Sequence, residues 1–221
     1  MKPSIFALLG LFVLLGSLRP AHAQPDPVRR VDLSSPFAPF FHGVASGDPL
    51  PDRVIIWTRV TPQNSGDVIQ VDWEMATDTN FTNIVRTGSF TTDSSRDHTV
   101  KVDVTGLSPD SWYYYRFDVD TATSMIGRTK TAPQGMKDSL RFAVVSCSDF
   151  SSGYFNAYRQ VARRNDIEAV FHLGDYIYET GGGSGNRAHE PSKEILSLGD
   201  YRKRYSQYRL DPDLQAAHQQ Y

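Results

Sequence analysis

Two residues near the middle of the chain have the types and the spacing that metal chemistry needs. Cys147 stands in Ser146-Cys147-Ser148-Asp149 at the end of one short apolar run, and Asp175 stands in His172-Leu173-Gly174-Asp175-Tyr176-Ile177-Tyr178-Glu179 at the end of the next. Those runs, residues 140–145 and 169–173, read as buried strands. Between them, residues 154–164 repeat Phe155, Tyr158 and Val161 at helical spacing, and Asn165-Asp166 closes the stretch. Strand, crossover helix and parallel strand follow. Ligands of open α/β sheets gather just beyond the carboxyl ends of such strands. A thiol and a carboxylate placed there are candidate ligands of one metal centre.

Cys147 is the single cysteine of the chain. A lone cysteine is most often a small buried hydrophobe. In an exported chain, where disulfides would bring cysteines in pairs, it is buried, reactive or metal-bound. Its place between two serines, facing a Gly-Asp turn, favours a ligand. The neighbours are read more plainly. His172 alternates into the packed sheet as a structural histidine. Asp149 lies near the centre or caps the helix that follows. Glu179 stays outside the ligand set. The glycine-rich run at residues 181–185 lacks the Lys-Ser/Thr of a phosphate-binding loop and reads as a flexible loop beside the site.

Export is expected from the amino terminus. Lys2 is followed by an almost wholly apolar stretch at residues 5–18 and then by Ala21-His22-Ala23, so residues 1–23 read as a signal peptide cut near Ala23. The apolar stretch is too short for a comfortable membrane span, so no transmembrane segment is expected after signal removal. Over all 221 residues the composition is ordinary for a globular chain, 39% hydrophobic and 22% charged. A net charge of −2 argues against a nucleic-acid-specific or anionic-membrane surface, since either partner selects a basic face.

Two grammars divide the mature chain. Residues 24–131 contain short alternating strands at 53–60, 68–76, 84–90, 98–104 and 113–118, which predict a β-sandwich. The segment Gly106-Leu107-Ser108-Pro109-Asp110-Ser111-Trp112-Tyr113-Tyr114-Tyr115-Arg116-Phe117 resembles the corner of a fibronectin type III-like domain, with its tyrosines packed and one hydroxyl bonded to backbone. Residues 132–138, with Pro133 and Gly135, read as a linker. Residues 139–221 then follow the α/β pattern, ending in helical stretches at 200–208 and 211–221.

Five segments together resemble the alkaline phosphatase D (PhoD) family over nearly the whole mature chain. They are Phe41-His42-Gly43-Val44-Ala45-Ser46-Gly47-Asp48-Pro49, Val54-Ile55-Ile56-Trp57-Thr58-Arg59, Ser146-Cys147, the stretch from His172 to Glu179, and Tyr201-Arg202 through Leu214-Gln215-Ala216-Ala217-His218. The resemblance implies a fibronectin type III-like β-sandwich followed by a calcineurin-like αββα metallophosphatase domain. It also implies hydrolysis of phosphate monoesters or diesters outside the cytoplasm with Fe3+ and Ca2+. Cys147 would then be a thiolate ligand of iron, and Asp175 a carboxylate bridging both metals and serving catalysis. The family's tyrosine phenolate is expected from residues 201–208, with Tyr208 the first candidate by its distance from Asp175 and Tyr205 the second. Thiolate and phenolate stabilise a trivalent ion, whereas carboxylate oxygen suits calcium.

Two departures qualify the resemblance. The family commonly uses twin-arginine signals, while this leader has Lys2 alone. The family's later histidine and aspartate ligands have no counterpart before Tyr221, so the chain is expected to be the amino-terminal part of a phosphatase, truncated and inactive by itself. The alternative is a non-catalytic exported binding or structural module built on the sandwich. Retention of Cys147, Asp175 and Tyr208 together speaks for the enzyme.

Overall fold

In β2 (Arg53–Arg59) every second side chain is buried, so Val54, Ile56 and Thr58 point inward while Ile55 and Trp57 face out. That period of two is what a half-buried strand requires. A computed structural model describes residues 36–182 and 187–221; the expected signal peptide and part of the expected glycine loop lie outside them. β2 is the middle of a three-stranded antiparallel sheet between β1 (Val44–Leu50) and β5 (Thr99–Thr105). A second antiparallel sheet runs β4 (Ile84–Thr92), β3 (Ile69–Ala76), β6 (Trp112–Val119) and β7 (Ala122–Thr123), and β8 (Gly127–Lys130) also pairs with β6.

The two sheets close over one core. β6 sends Tyr113, Tyr115 and Phe117 inward, where they meet Val54, Ile56, Val71, Met75, Val100 and Val104. Each such side chain contributes about 1.5–3 kcal/mol by leaving water. Tyr113 keeps its hydroxyl satisfied by accepting from Ser108 N–H at 2.9 Å. Gly127 lies flat against the Tyr115 ring, and a Cβ there would fall inside van der Waals contact. The sandwich strands lie where the alternation predicts. β1, β7 and β8 were not anticipated, because short strands with glycine or turn residues carry little pattern.

After the sandwich the pairing becomes parallel. β9 (Phe142–Val145) and β10 (Ala169–His172) run side by side with Phe142 opposite Ala169 and Val145 opposite His172. The short helix α1 (Asn156–Ala162) lies between them in sequence. Two further helices follow. α2 (Leu198–Arg209) begins on a reciprocal cap in which Ser197 Oγ accepts from Asp200 N–H and the Asp200 carboxylate accepts from Ser197 N–H. α3 (Pro212–Gln220) begins on Asp211, whose carboxylate accepts from Asp213 and Leu214 N–H, with Pro212 in its first turn. The architecture is thus a β-sandwich followed by the start of an α/β unit. Among the described residues no helix is long and apolar enough to cross a membrane.

Helices α2 and α3 lie against the sandwich through backbone recognition. Arg209, fully buried, donates to the carbonyls of His42 at 3.1 Å and Val44 at 3.2 Å, and its guanidinium sits 4.9 Å from the Trp57 ring centre. Gln215 Nε2 reaches Phe41 O at 2.8 Å and Gln219 Nε2 reaches Ile126 O at 2.8 Å. His42 Nε2 is 2.6 Å from Ser206 Oγ. Gly43 has φ +68°, a conformation that favours glycine, and a Cβ there would stand 3.2 Å from the Gln215 side chain, which would have to shift slightly.

Candidate metal centre

The ladder between β9 and β10 continues past the last regular residues. Leu173 N–H donates to Val145 O at 2.9 Å, Cys147 N–H to Gly174 O at 3.2 Å, and Ser148 N–H to Asp175 O at 2.9 Å. Within this extension Cys147 (φ +58°), Gly174 (φ +127°) and Asp175 (φ +52°) all take positive φ. For Cys147 and Asp175 that conformation costs on the order of 1–2 kcal/mol each, because Cβ crowds the following carbonyl. Such strain persists where the surroundings over-determine it, and it clusters at functional sites.

The result is a convergence of three anionic-capable groups. Cys147 Sγ lies 3.6 Å from Asp175 Oδ2, and Tyr178 Oη lies 3.4 Å from the same oxygen. Cys147 is exposed. Tyr178 is pushed up to about 12, first by its hydrogen bond with the Cys147 sulfur, then by desolvation and by the charges of Cys147 and Asp175. The neighbouring charges thus disfavour ionisation of the Tyr178 phenol, and a cation placed among the three groups would remove that penalty.

Tyr208 has a different setting. It is fully buried among Phe150, Phe155, Tyr158, Leu214 and Ala217. Its hydroxyl accepts from Phe150 N–H at 3.1 Å and lies 3.4 Å from His189 Nε2, and its ring stacks on His189 with 6.2 Å between centroids. Burial pushes its hydroxyl pKa up. Among the described hydrogen bonds it has none to Cys147 or Asp175. Tyr205 packs edge-on to Trp57 at 6.2 Å and against Tyr176 at 5.7 Å. Tyr178, and not Tyr208 or Tyr205, is the tyrosine that stands beside Cys147 and Asp175. The sequence carries only a weak signal for it, a tyrosine three residues after Asp175.

The surrounding residues fix the site rather than line it. His172 accepts from Gly174 N–H at Nδ1, 3.2 Å away, and its Nε2 is 3.1 Å from Ser148 Oγ. Asp149 does not cap α1: its carboxylate accepts from Ser151 N–H and from the hydroxyls of Ser151 and Ser152, closing a tight turn. Glu179 accepts from Tyr201 Oη at 3.3 Å. Beneath the segment after Asp175 lies Arg204, fully buried. Its guanidinium donates to the carbonyls of Tyr178, Thr180, Glu190, Pro191 and Lys193.

A metal fits this donor set in part. Thiol, carboxylate and phenol suit a trivalent ion such as iron. Among the described residues no cluster of three or more His, Cys, Asp or Glu could hold a metal, since the third donor here is a phenol. A calcium shell of about six to eight oxygens has only the Asp175 carboxylate to draw on within this group.

Comparison with known proteins gives two adjoining family matches. Residues 27–133 match "PhoD-like phosphatase, N-terminal domain" and residues 142–221 match "PhoD-like phosphatase". Alkaline phosphatase D of Bacillus subtilis (strain 168) is 44% identical over 193 residues, covering 81% of this chain and 33% of that protein. A solved structure described as "Structure of PhoD" superposes with a TM-score of 0.77 at 43% identity, covering 82% of this chain and 37% of the other. The chain thus spans about a third of the length of these relatives.

Proposed function

Because the chain belongs to the PhoD-like phosphatase family, we propose that it forms the part of a metal-dependent phosphoesterase that carries Cys147, Asp175 and Tyr178. The observation that carries this reading is the meeting of the Cys147 thiol and the Tyr178 hydroxyl on one oxygen of Asp175, beyond the ends of two parallel strands. The substrates are phosphate monoesters or diesters, and the reaction adds water across the P–O ester bond to release an alcohol and a phosphate. Fe3+ suits the thiol, carboxylate and phenol present, and Ca2+ is the second metal the family resemblance implies; bound metal would supply Lewis-acid polarisation of the phosphoryl oxygens and activation of the attacking water.

The chain's own residues hold and orient. Cys147, Tyr178 and Asp175 would hold the metal, the first two as thiolate and phenolate donors and Asp175 as the carboxylate between them. The Tyr178 phenol is preferred to Tyr208 on contact and burial, since Tyr208 has its hydroxyl engaged by Phe150 N–H. We read residues 24–131 as a sandwich domain, 132–138 as a linker and 139–221 as the start of the metallophosphatase domain. We read the leader at residues 1–23 as directing export.

Activity is to be measured in a polypeptide of the relatives' length that carries these 221 residues, with iron and calcium supplied. Phosphate-ester turnover, followed with p-nitrophenyl phosphate and its bis-ester, is expected to fall most for Asp175→Asn, by about 10²-fold or more, as expected for loss of a group holding charge in the transition state. Cys147→Ser is expected to lower metal retention as well as turnover. Unchanged kcat/KM in Asp175→Asn would overturn the assignment.

A further inference from the structure

We propose that His172 is a positioning residue: as the Nε2–H tautomer it ties the loop carrying Cys147 to the turn carrying Asp175. Its Nδ1 accepts Gly174 N–H at 3.2 Å, so that nitrogen is bare. In a neutral imidazole the other nitrogen then holds the proton. Nε2–H accordingly donates to Ser148 Oγ at 3.1 Å. Ser148 is itself buried, with its Oγ 2.5 Å from Tyr158 Oη on α1.

Backbone bonds complete the linkage. Ser148 N–H donates to Asp175 O at 2.9 Å, and Cys147 N–H to Gly174 O at 3.2 Å. His172, Ser148, Asp175 and Gly174 therefore form a closed circuit of one imidazole, one hydroxyl and two main-chain segments. The Tyr176 ring meets the imidazole edge-on at 5.2 Å and limits its rotation. The residues flanked by this circuit, Cys147 and Asp175, are the two non-glycine residues here held at positive φ. The clamp supplies what those strained conformations need in order to persist. It deepens the metal-centre reading, for groups that orient metal ligands typically alter affinity by about 10–100-fold when removed.

The test uses the 221-residue chain with 15N labelling. The ring nitrogen shifts of His172 in the unmodified chain are expected to report a bare Nδ1 and a protonated Nε2. In His172→Ala, amide exchange at Cys147, Ser148 and Gly174 is expected to speed up roughly tenfold, the scale of one lost hydrogen bond, while β2 and β6 amides hold. His172→Asn, whose Oδ1 can occupy the place of Nδ1, should restore protection at Gly174. Cobalt(II) affinity, read by absorption, is expected to drop about 10–100-fold in His172→Ala. A protonated Nδ1 in the unmodified chain, or exchange that rises equally in the sandwich strands, overturns the proposal. If the unmodified chain takes up no cobalt while the tautomer and the local exchange pattern hold, the clamp stands and the metal reading falls.

Discussion

At the scale of single residues, the segment that follows Asp175 rests on the buried guanidinium of Arg204. Arg204 satisfies five carbonyls from the segment following Asp175, and burial lowers its pKa. Replacing it leaves those carbonyls without donors inside the protein, where each unpaired group costs about 1–3 kcal/mol. Arg204→Met is expected to lower stability by about 2–3 kcal/mol, the scale of unsatisfied buried carbonyls, as read by chemical denaturation. Arg204→Lys should recover only part, since an ammonium cannot span five acceptors in a plane. A loss under about 1 kcal/mol would show that the segment holds itself. None of this was legible beforehand, because an arginine in a helix rich in arginine and tyrosine looks like a solvated face. Cys147 and Asp175 drew attention because rare residue types ended two apolar runs. Tyr178 did not, because only the left-handed turn at Asp175 brings a residue three positions on back to its carboxylate.

At the scale of elements, β9 and β10 present a bare apolar face. Phe142, Val144, Phe171 and Leu173 are 44, 60, 51 and 74% exposed, and the two phenylalanines meet edge-on at 5.0 Å. The opposite faces of the same strands are more covered, with Val145 packed near Phe150, Tyr158 and Tyr208. Exposed alternation of this kind makes a patch that binds other apolar surfaces. A Val144→Thr, Phe171→Thr double variant of the 221-residue chain is expected to bind less of a hydrophobic dye and to stay soluble at higher concentration, with its melting temperature little changed. A large drop in melting temperature would mean that these side chains are packed. The strand pattern itself was readable, since apolar runs of four to six residues between turn signals appear as β9 and β10 nearly where expected. Whether both faces of such a pair are covered is not written in local periodicity, because two-sided apolar runs look alike whatever packs on them.

At the scale of the whole molecule, the join between the sandwich and the last two helices is polar and carries histidines held neutral. His42 is lowered to about 3, first by burial and then by the nearby charges of Arg59 and Arg209. His218 on α3 is likewise lowered, by burial first and then by Arg209 and His172, and its Nε2 meets Tyr176 Oη at 2.9 Å. Both folded pKa values lie below the unfolded value of 6.5, so the unfolded chain binds more protons as acid is added. The contribution of His42 to stability is present above pH 6.5 and is lost as pH falls from there toward about 3, and His218 acts in the same direction below pH 6.5. The melting temperature is expected to decline across that window, and His42→Gln should flatten the decline. A profile unaffected by His42→Gln would show that other groups dominate. This join was invisible to a linear reading because its contacts pair residues more than ninety positions apart, such as Phe41 with Gln215 and Ile126 with Gln219.

Absorption spectroscopy of the iron-loaded protein decides whether Cys147, Asp175 and Tyr178 share one metal ion. Thiolate and phenolate bound to Fe3+ give ligand-to-metal charge transfer in the visible range. The protein is expected to be coloured, with a band that shifts or bleaches in Tyr178→Phe, weakens with lost iron in Cys147→Ser, and survives Tyr208→Phe. A band that is lost in Tyr208→Phe but kept in Tyr178→Phe would contradict that sharing.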